Sequence, residues 1–250
     1  MYRDYKIDTH THTLISGHAY NTVNEMILAA NKKNMEVLCL TEHGPMIPGG
    51  PNAYYFSNLR ILPDNYHSEY VPHVIFGMEA NICNYNGDTD YETIHDDIND
   101  IKYIIASFHT VCLQPSTVGN NTNAYIGAIR KPYVTVLGHI DDGRVPCDYE
   151  QVVKAAKKYD VLIEVNNSSN SVNSFRLNSQ KNTLEYLQLC KENGNMIVLG
   201  SDAHYEGDIG NFSNVIPLLE KVNFPEELII NRDTKLFIDF IEKKYKKRFL

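Results

Sequence analysis

The stretch IDTHTHT, residues 7–13, sets two histidines two residues apart at the end of a run that reads as a β-strand. Side chains at i and i+2 of a strand leave the same face, roughly 7 Å apart along the chain, so His10 and His12 can reach toward one point. A single His-x-His pair carries little weight. The same placement recurs along the chain, however. Glu42-His43 closes MEVLCLTEH, Glu79 falls near the end of HVIFGMEANI, His109 closes IKYIIASFH, His139 closes YVTVLGH and Asp202-x-His204 closes MIVLGSDAH. Chance would not set so many of the 10 histidines at one level of a fold.

The elements that must hold these residues alternate. Seven strand-like runs, the six above and VLIEVNN, are separated by helical periodicity over 21–34, 119–130, 149–159 and 179–193. Seven strand–helix repeats predict an α/β fold with a parallel sheet closed into a barrel, and such barrels gather their working residues where the strands end. At 250 residues and 43% hydrophobic, the chain fits one domain over 1–250. Residues 44–68 read as a Pro- and Gly-punctuated loop. Asn86-Gly87 in NYNGDTDYE signals a hairpin inserted after the third strand.

Composition narrows the function. A net charge of −8 disfavours coating of nucleic acid, which needs clustered Lys and Arg. The basic run KKYKKRF at 243–249 suits the end of a C-terminal helix. Cys39, Cys83, Cys112, Cys147 and Cys190 are odd in number and never spaced C-x-x-C, which suits reduced, packed thiols. The polar start MYRDYKID does not read as a signal peptide, and no apolar run reaches the roughly 18 residues of a membrane span. The expected location is cytoplasmic, with no membrane partner.

The series H-x-H, GHAYNT with His18, TEHG, GMEAN, SFH, GH and GSDAH resembles the PHP family, named for polymerase and histidinol phosphatase. It is most similar to the YcdX-like branch of trinuclear-metal phosphatases, and the similarity extends over nearly the whole chain. The resemblance implies a distorted (β/α)7 barrel, phosphoester hydrolysis and nine metal ligands: His10, His12, His18, His43, Glu79, His109, His139, Asp202 and His204. It also implies their partition: His10, His12, Glu79 and Asp202 on one ion, His18, His43 and His204 on a second, His109 and His139 with Glu79 on a third. Imidazoles with few carboxylates suit zinc, with manganese or iron as alternatives, whereas magnesium or calcium sites are mostly oxygen.

Three divalent ions less two carboxylates leave a pit of about +4 in an acidic protein, matched to a small phosphomonoester, with inorganic phosphate as product. A metal-activated hydroxide is the expected nucleophile. Asp202 and Glu79 are the expected catalytic carboxylates, with Arg60 of NLRILP as a candidate phosphate clamp. Arg144, Asn166 and Asn167 are weaker candidates, and His67, His73 and His95 read as ordinary surface residues. After His139 the relatives usually continue with Pro and a nearby Asn, whereas this chain reads Ile140-Asp141-Asp142-Gly143-Arg144. Two other readings are an amidohydrolase-like hydrolase, which usually adds a strand-end lysine not found here, and a catalytically silent metal-binding module. A homo-oligomer is compatible with all three.

Overall fold

The computed structural model describes residues 4–63, 65–94 and 101–246. Seven strands, β1 (Ile7–Thr11), β2 (Val37–His43), β3 (His73–Asn81), β4 (Tyr103–Ser107), β5 (Val136–Leu137), β6 (Leu162–Asn166) and β7 (Ile197–Gly200), pair in chain order, every pair parallel. Just beyond β7, Asp202 N donates to His10 O and His12 N to Ala203 O, both at 2.8 Å. These two bonds bring the last strand back onto the first. The result is a nearly closed barrel, as the alternation predicts, in the distorted (β/α)7 form that the family resemblance implies.

The barrel interior follows strand periodicity. Val37 and Cys39 of β2, Tyr103 and Ile105 of β4, Val136 of β5, Leu162 of β6 and Val198 of β7 form one buried cluster with Ile7. Phe237 and Ile241 of the C-terminal helix (Thr234–Lys246) join that cluster and plug it from below, Phe237 lying edge-on to Tyr103 at 5.8 Å between centroids. Stepping two residues at a time from this apolar floor leads to His43 on β2, Glu79 on β3, His109 after β4 and Asp202 after β7. Apolar packing therefore fixes the height and facing of the polar residues above it.

Two ladders depart from the simple step. In β1, Asp8 pairs with Leu38 but Thr11 with Leu40, so one extra residue is accommodated there and both His10 and His12 come round to the inside. His139 is one residue out of step with Val136, and its φ of 23° turns it inward. Asp202 also has a positive φ, 57°. Left-handed backbone costs a non-glycine residue about 1 kcal/mol or more and concentrates at working positions.

Helices α1 (Val23–Lys32), α3 (Val118–Ile129), α4 (Tyr149–Tyr159) and α5 (Ser179–Asn193) lie where the periodicity predicts them. Thr22 and Glu25 close a reciprocal capping box on α1, while Thr117 and Asp148 cap α3 and α4. The segment expected as loop holds a short helix, α2 (Ala53–Asn58), capped by Asn52 and pinned by buried Phe56. Helix α6 spans Ile216–Lys221 and α7 is the plug. All five cysteines are unpaired; Cys39 and Cys190 are buried. Among the described residues no helix is long and apolar enough to cross a membrane.

The inserted hairpin forms as its Asn-Gly signal predicts: Ile82 pairs antiparallel with Thr89, and Gly87 takes φ 81°. It lies directly on α3, where a side chain on Gly127 would collide with the Asn86 carbonyl. Gly→Ala in a helix ordinarily stabilises by up to about 1 kcal/mol. Here overpacking reverses the sign: Gly127→Ala is expected to destabilise by about 2 kcal/mol and lower Tm by about 4–8 °C. Thermal unfolding of the two proteins checks this, and an unchanged or higher Tm would mean that the hairpin does not rest on α3.

Candidate active site

A cavity of about 720 Å³ opens over the C-terminal ends of the strands. On its floor, His10 Nε2 lies 3.1 Å from His12 Nε2, 3.4 Å from Glu79 Oε2 and 3.7 Å from Asp202 Oδ1. His12 Nε2 is 3.5 Å from the same Glu79 oxygen and 3.3 Å from the same Asp202 oxygen. Four ligands around a tetrahedral zinc at 2.0–2.1 Å stand about 3.3 Å apart. These four atoms match that spacing.

Two further groups adjoin. His18 Nε2 is 3.2 Å from His43 Nε2 and 3.1 Å from His204 Nε2. On the other side, Glu79 Oε1 is 2.9 Å from His139 Nε2 and 3.3 Å from His109 Nε2. The two oxygens of Glu79 thus face different sets of imidazoles. His43 Nδ1 and Glu79 Oε2 stand 2.7 Å apart, yet both are buried without a hydrogen-bond partner. Such orphaned atoms are costly unless a cation lies between them. The donor set fits divalent metal ions.

The outer nitrogens are tied down. His10 Nδ1 donates to Glu164 Oε1 at 2.6 Å, and His109 Nδ1 to Asn81 Oδ1 at 2.6 Å, with Asn81 in turn donating to Asp90. His12 Nδ1 donates to Ser16 Oγ at 2.9 Å, whose hydroxyl donates to Glu42, and His204 Nδ1 donates to the Asp202 carbonyl at 3.0 Å. Each bond fixes the tautomer that leaves the Nε2 lone pair facing the centre.

Burial would raise the Glu79 carboxyl, but the imidazoles of His10, His109 and His43 hold it well below the usual range. Burial likewise opposes ionisation of Asp202, and His10, His12, His204 and Arg176 outweigh it, leaving that carboxyl well below normal too. Burial, joined by neighbouring His43 and His204, pushes His12 and His18 down, toward the neutral form that ligation needs. Burial lowers His109 as well. His10 alone is raised: burial works against its charge, but Glu164, Glu79 and Asp202 crowd around it. Three buried carboxylates about one imidazole describe a place short of positive charge.

All nine residues expected as metal ligands converge here; Arg60 does not. The chain from α2 descends toward the start of β3, and exposed Arg60 lines a separate cavity of about 590 Å³ with His73, Lys102 and Glu242. The guanidinium that reaches the floor belongs to Arg176, with a side chain 9% exposed and 3.6 Å from Asp202 Oδ2. Asn166 donates to Glu164 and to Asp202 Oδ2, whereas Asn167 holds Asn214 of a neighbouring loop. His67 and His73 stand outside the cavity, and His95 lies outside the described residues. Two residues escaped the sequence reading. Glu164 carried a signal, an acid inside the apolar run VLIEVNN; Arg176, in an irregular loop, carried none.

Glu164 occupies space kept open by glycines. A side chain on Gly200 would run into its carboxylate, and one on Gly138 would meet it and Ser107. One oxygen takes the His10 ring proton while the other accepts from His139 N at 2.8 Å, so a single carboxylate positions two candidate ligands.

Comparison with known proteins gives a consistent result. The PHP domain model matches residues 8–174. A probable phosphatase of Clostridium acetobutylicum is 42% identical over 97% of this chain and 96% of its own. One of Caldicellulosiruptor bescii is 42% identical over 95% of each, and one of Photobacterium profundum 40% identical over 96% and 95%. Among solved structures, the fold is similar to histidinol phosphate phosphatase of Lactococcus lactis, determined with zinc, L-histidinol and phosphate. That similarity has a TM-score of 0.64 at 18% identity and covers 88% of this chain and 95% of the other.

Replacing Glu164 by Gln keeps the shape but removes the charge that orders His10. The expected result is a fold intact by circular dichroism with metal affinity reduced about 10- to 100-fold. Competition against a chromogenic chelator measures this, and affinity within threefold of the parent would deny Glu164 a positioning role.

Proposed function

The chain belongs to the PHP domain family, and on that premise we propose that it is a metal-dependent phosphatase acting on a small phosphomonoester at a centre of three divalent ions. The observation that carries the reading is Glu79, one oxygen facing His10 and His12 and the other His109 and His139. The proposed partition gives His10, His12, Glu79 and Asp202 to one ion, His18, His43 and His204 to the second, and His109, His139 and Glu79 to the third. The nitrogen-rich set favours zinc. Ions bound there would polarise phosphoryl oxygens and bring the pKa of water toward about 7.

The protein's own groups divide the remaining work. Asp202 turns Oδ1 to the centre, while its Oδ2 is held by Asn166 at 3.2 Å and faced by Arg176 at 3.6 Å. Held in this way, its role is to keep charge and orientation at the centre. Arg176 stays charged: burial opposes that, but Asp202, Asp141, Glu79 and Glu164 all favour it. Its guanidinium suits bidentate capture of phosphate oxygens, the role the sequence suggested for Arg60. The relatives' names, and the zinc and phosphate in the histidinol phosphate phosphatase structure, support the same assignment.

Elemental analysis of gently purified protein is expected to find close to three transition-metal ions per chain. Glu79→Gln is expected to lose more than one of them and to cut p-nitrophenyl phosphate turnover by roughly 100-fold. Fewer than two ions in the parent, not restored by zinc or manganese, would sink the trinuclear assignment.

A site of net positive charge favours a dianionic monoester over a monoanionic diester. p-Nitrophenyl phosphate is therefore expected to exceed bis-p-nitrophenyl phosphate in kcat/KM, with inorganic phosphate a competitive inhibitor. Arg176→Ala is expected to weaken that inhibition by roughly 10-fold or more, and Arg60→Ala to leave it unchanged. Failure of metal-complete protein to hydrolyse either ester would favour a silent metal-binding module instead.

A further inference from the structure

The cavity is much larger than one phosphate; about 720 Å³ is within the range of pockets that enclose whole small-molecule ligands. Its floor is the imidazole and carboxylate cluster. Its apolar wall consists of Ile47 and Pro48 from the loop after β2, Phe108 and Val111 from the loop after β4, and Phe175 from the loop after β6. Ile47 and Phe108 are buried, but Val111 is 65% exposed and Phe175 72%.

The phenyl ring of Phe175 is held by the residues after β5. Gly143 N donates to Leu177 O at 2.7 Å, at an approach that a side chain on residue 143 would block. Leu177 N returns a longer bond, 3.4 Å, to Asp142 Oδ1. Arg144 chelates Asp142, with Nε 3.0 Å from Oδ1 and Nη2 2.5 Å from Oδ2, and lays its guanidinium 4.9 Å from the Phe175 centroid. The Arg176 guanidinium lies 5.5 Å from the same centroid. Within the loop, Ser171 and Ser174 hydroxyl oxygens accept from Asn173 N and Arg176 N. A latched loop thus holds a largely exposed ring at the cavity wall, flanked by the Arg144 and Arg176 guanidiniums.

We propose that Phe175, with Val111 and Ile47, forms a leaving-group subsite, and that the substrates are phosphomonoesters of apolar, aryl-bearing alcohols in preference to sugars or polyols. The proposal rests on the phosphatase reading above. Covering an exposed ring and a valine with an apolar leaving group removes carbon surface from water on both sides. A polyol placed against Ile47, Pro48, Phe108 and Val111 loses water from its hydroxyls, and those four side chains offer it no partner. Arg144 is already neutralised by Asp142, so the subsite asks for no second anion.

The test compares benzyl phosphate with glycerol 1-phosphate on the metal-loaded full chain. Both release primary alcohols, so intrinsic reactivity is similar. Benzyl phosphate is expected to lead in kcat/KM by roughly 10-fold or more, mainly through a lower KM. Phe175→Ala is expected to reduce that ratio to about threefold or less and Phe175→Leu to keep most of it, while Val111→Ser reads the same subsite from a different loop. Equal rates, a glycerol 1-phosphate preference, or a ratio unchanged in both Phe175→Ala and Val111→Ser would overturn the subsite and leave the phosphatase reading standing. No hydrolysis of these esters or of p-nitrophenyl phosphate by metal-complete protein would overturn both.

Discussion

Glu79 is a carboxylate removed from water, 1% exposed, with each oxygen turned to a different set of imidazoles. A buried anion of this kind must be met by positive charge or become neutral. The surrounding groups oppose a neutral solution: the imidazoles of His10, His109 and His43 press the carboxyl down, while burial pushes His109 itself, and neighbouring His12 and His18, toward neutrality. Cations held between these atoms would resolve the conflict, replacing repulsion among convergent lone pairs with coordination and offsetting the charge of Glu79 and Asp202.

That requirement explains why the backbone accepts local cost. A regular strand delivers side chains to the barrel interior every second residue, and His43, Glu79 and His109 come in this way. His10 and His12 need the extra residue in β1, and His139 needs a positive φ. Once turned, His139 has its backbone N–H held by the same carboxylate that orders His10 across the barrel. The apolar layer and the α7 plug below supply the rigidity against which these departures are maintained. Precision in the site is thus drawn from packing well beneath it.

How much of this could be read from the sequence depended on periodicity. Strand ends were legible because apolar runs stop at ligand-type residues, and both the barrel and the level of the site followed. His18, outside any strand, was reached only through family resemblance. The turn at His139 could not be seen, since a sequence does not state φ. Glu164 was hidden by its surroundings: a charge within VLIEVNN reads as an interruption until Gly138 and Gly200 are seen to make room for it. The arginine was misplaced for a topological reason. Arg60 and Arg176 both lie in irregular segments, and spacing does not say that one descends to the bottom of β3 while the other folds over the top of β6.

The loop after β5 shows how carboxylates close to the site can serve its wall rather than its floor. Asp141 is spent inward, accepting from Ser169, Asn170 and Thr183, and so anchors the segment that follows β6. Asp142, buried at the cavity wall, neutralises Arg144 and accepts from Leu177 N. Neither carboxylate touches the convergent Nε2 atoms, so the floor is unaffected by this sequence. What the sequence does set is the position of Phe175 above that floor. On the reading proposed above, charge is concentrated where a phosphoryl group would be held, and carbon surface where the rest of the molecule would lie. The wall is carried by the loops after β2, β4 and β6, while most of the convergent residues beneath it come from the strand ends.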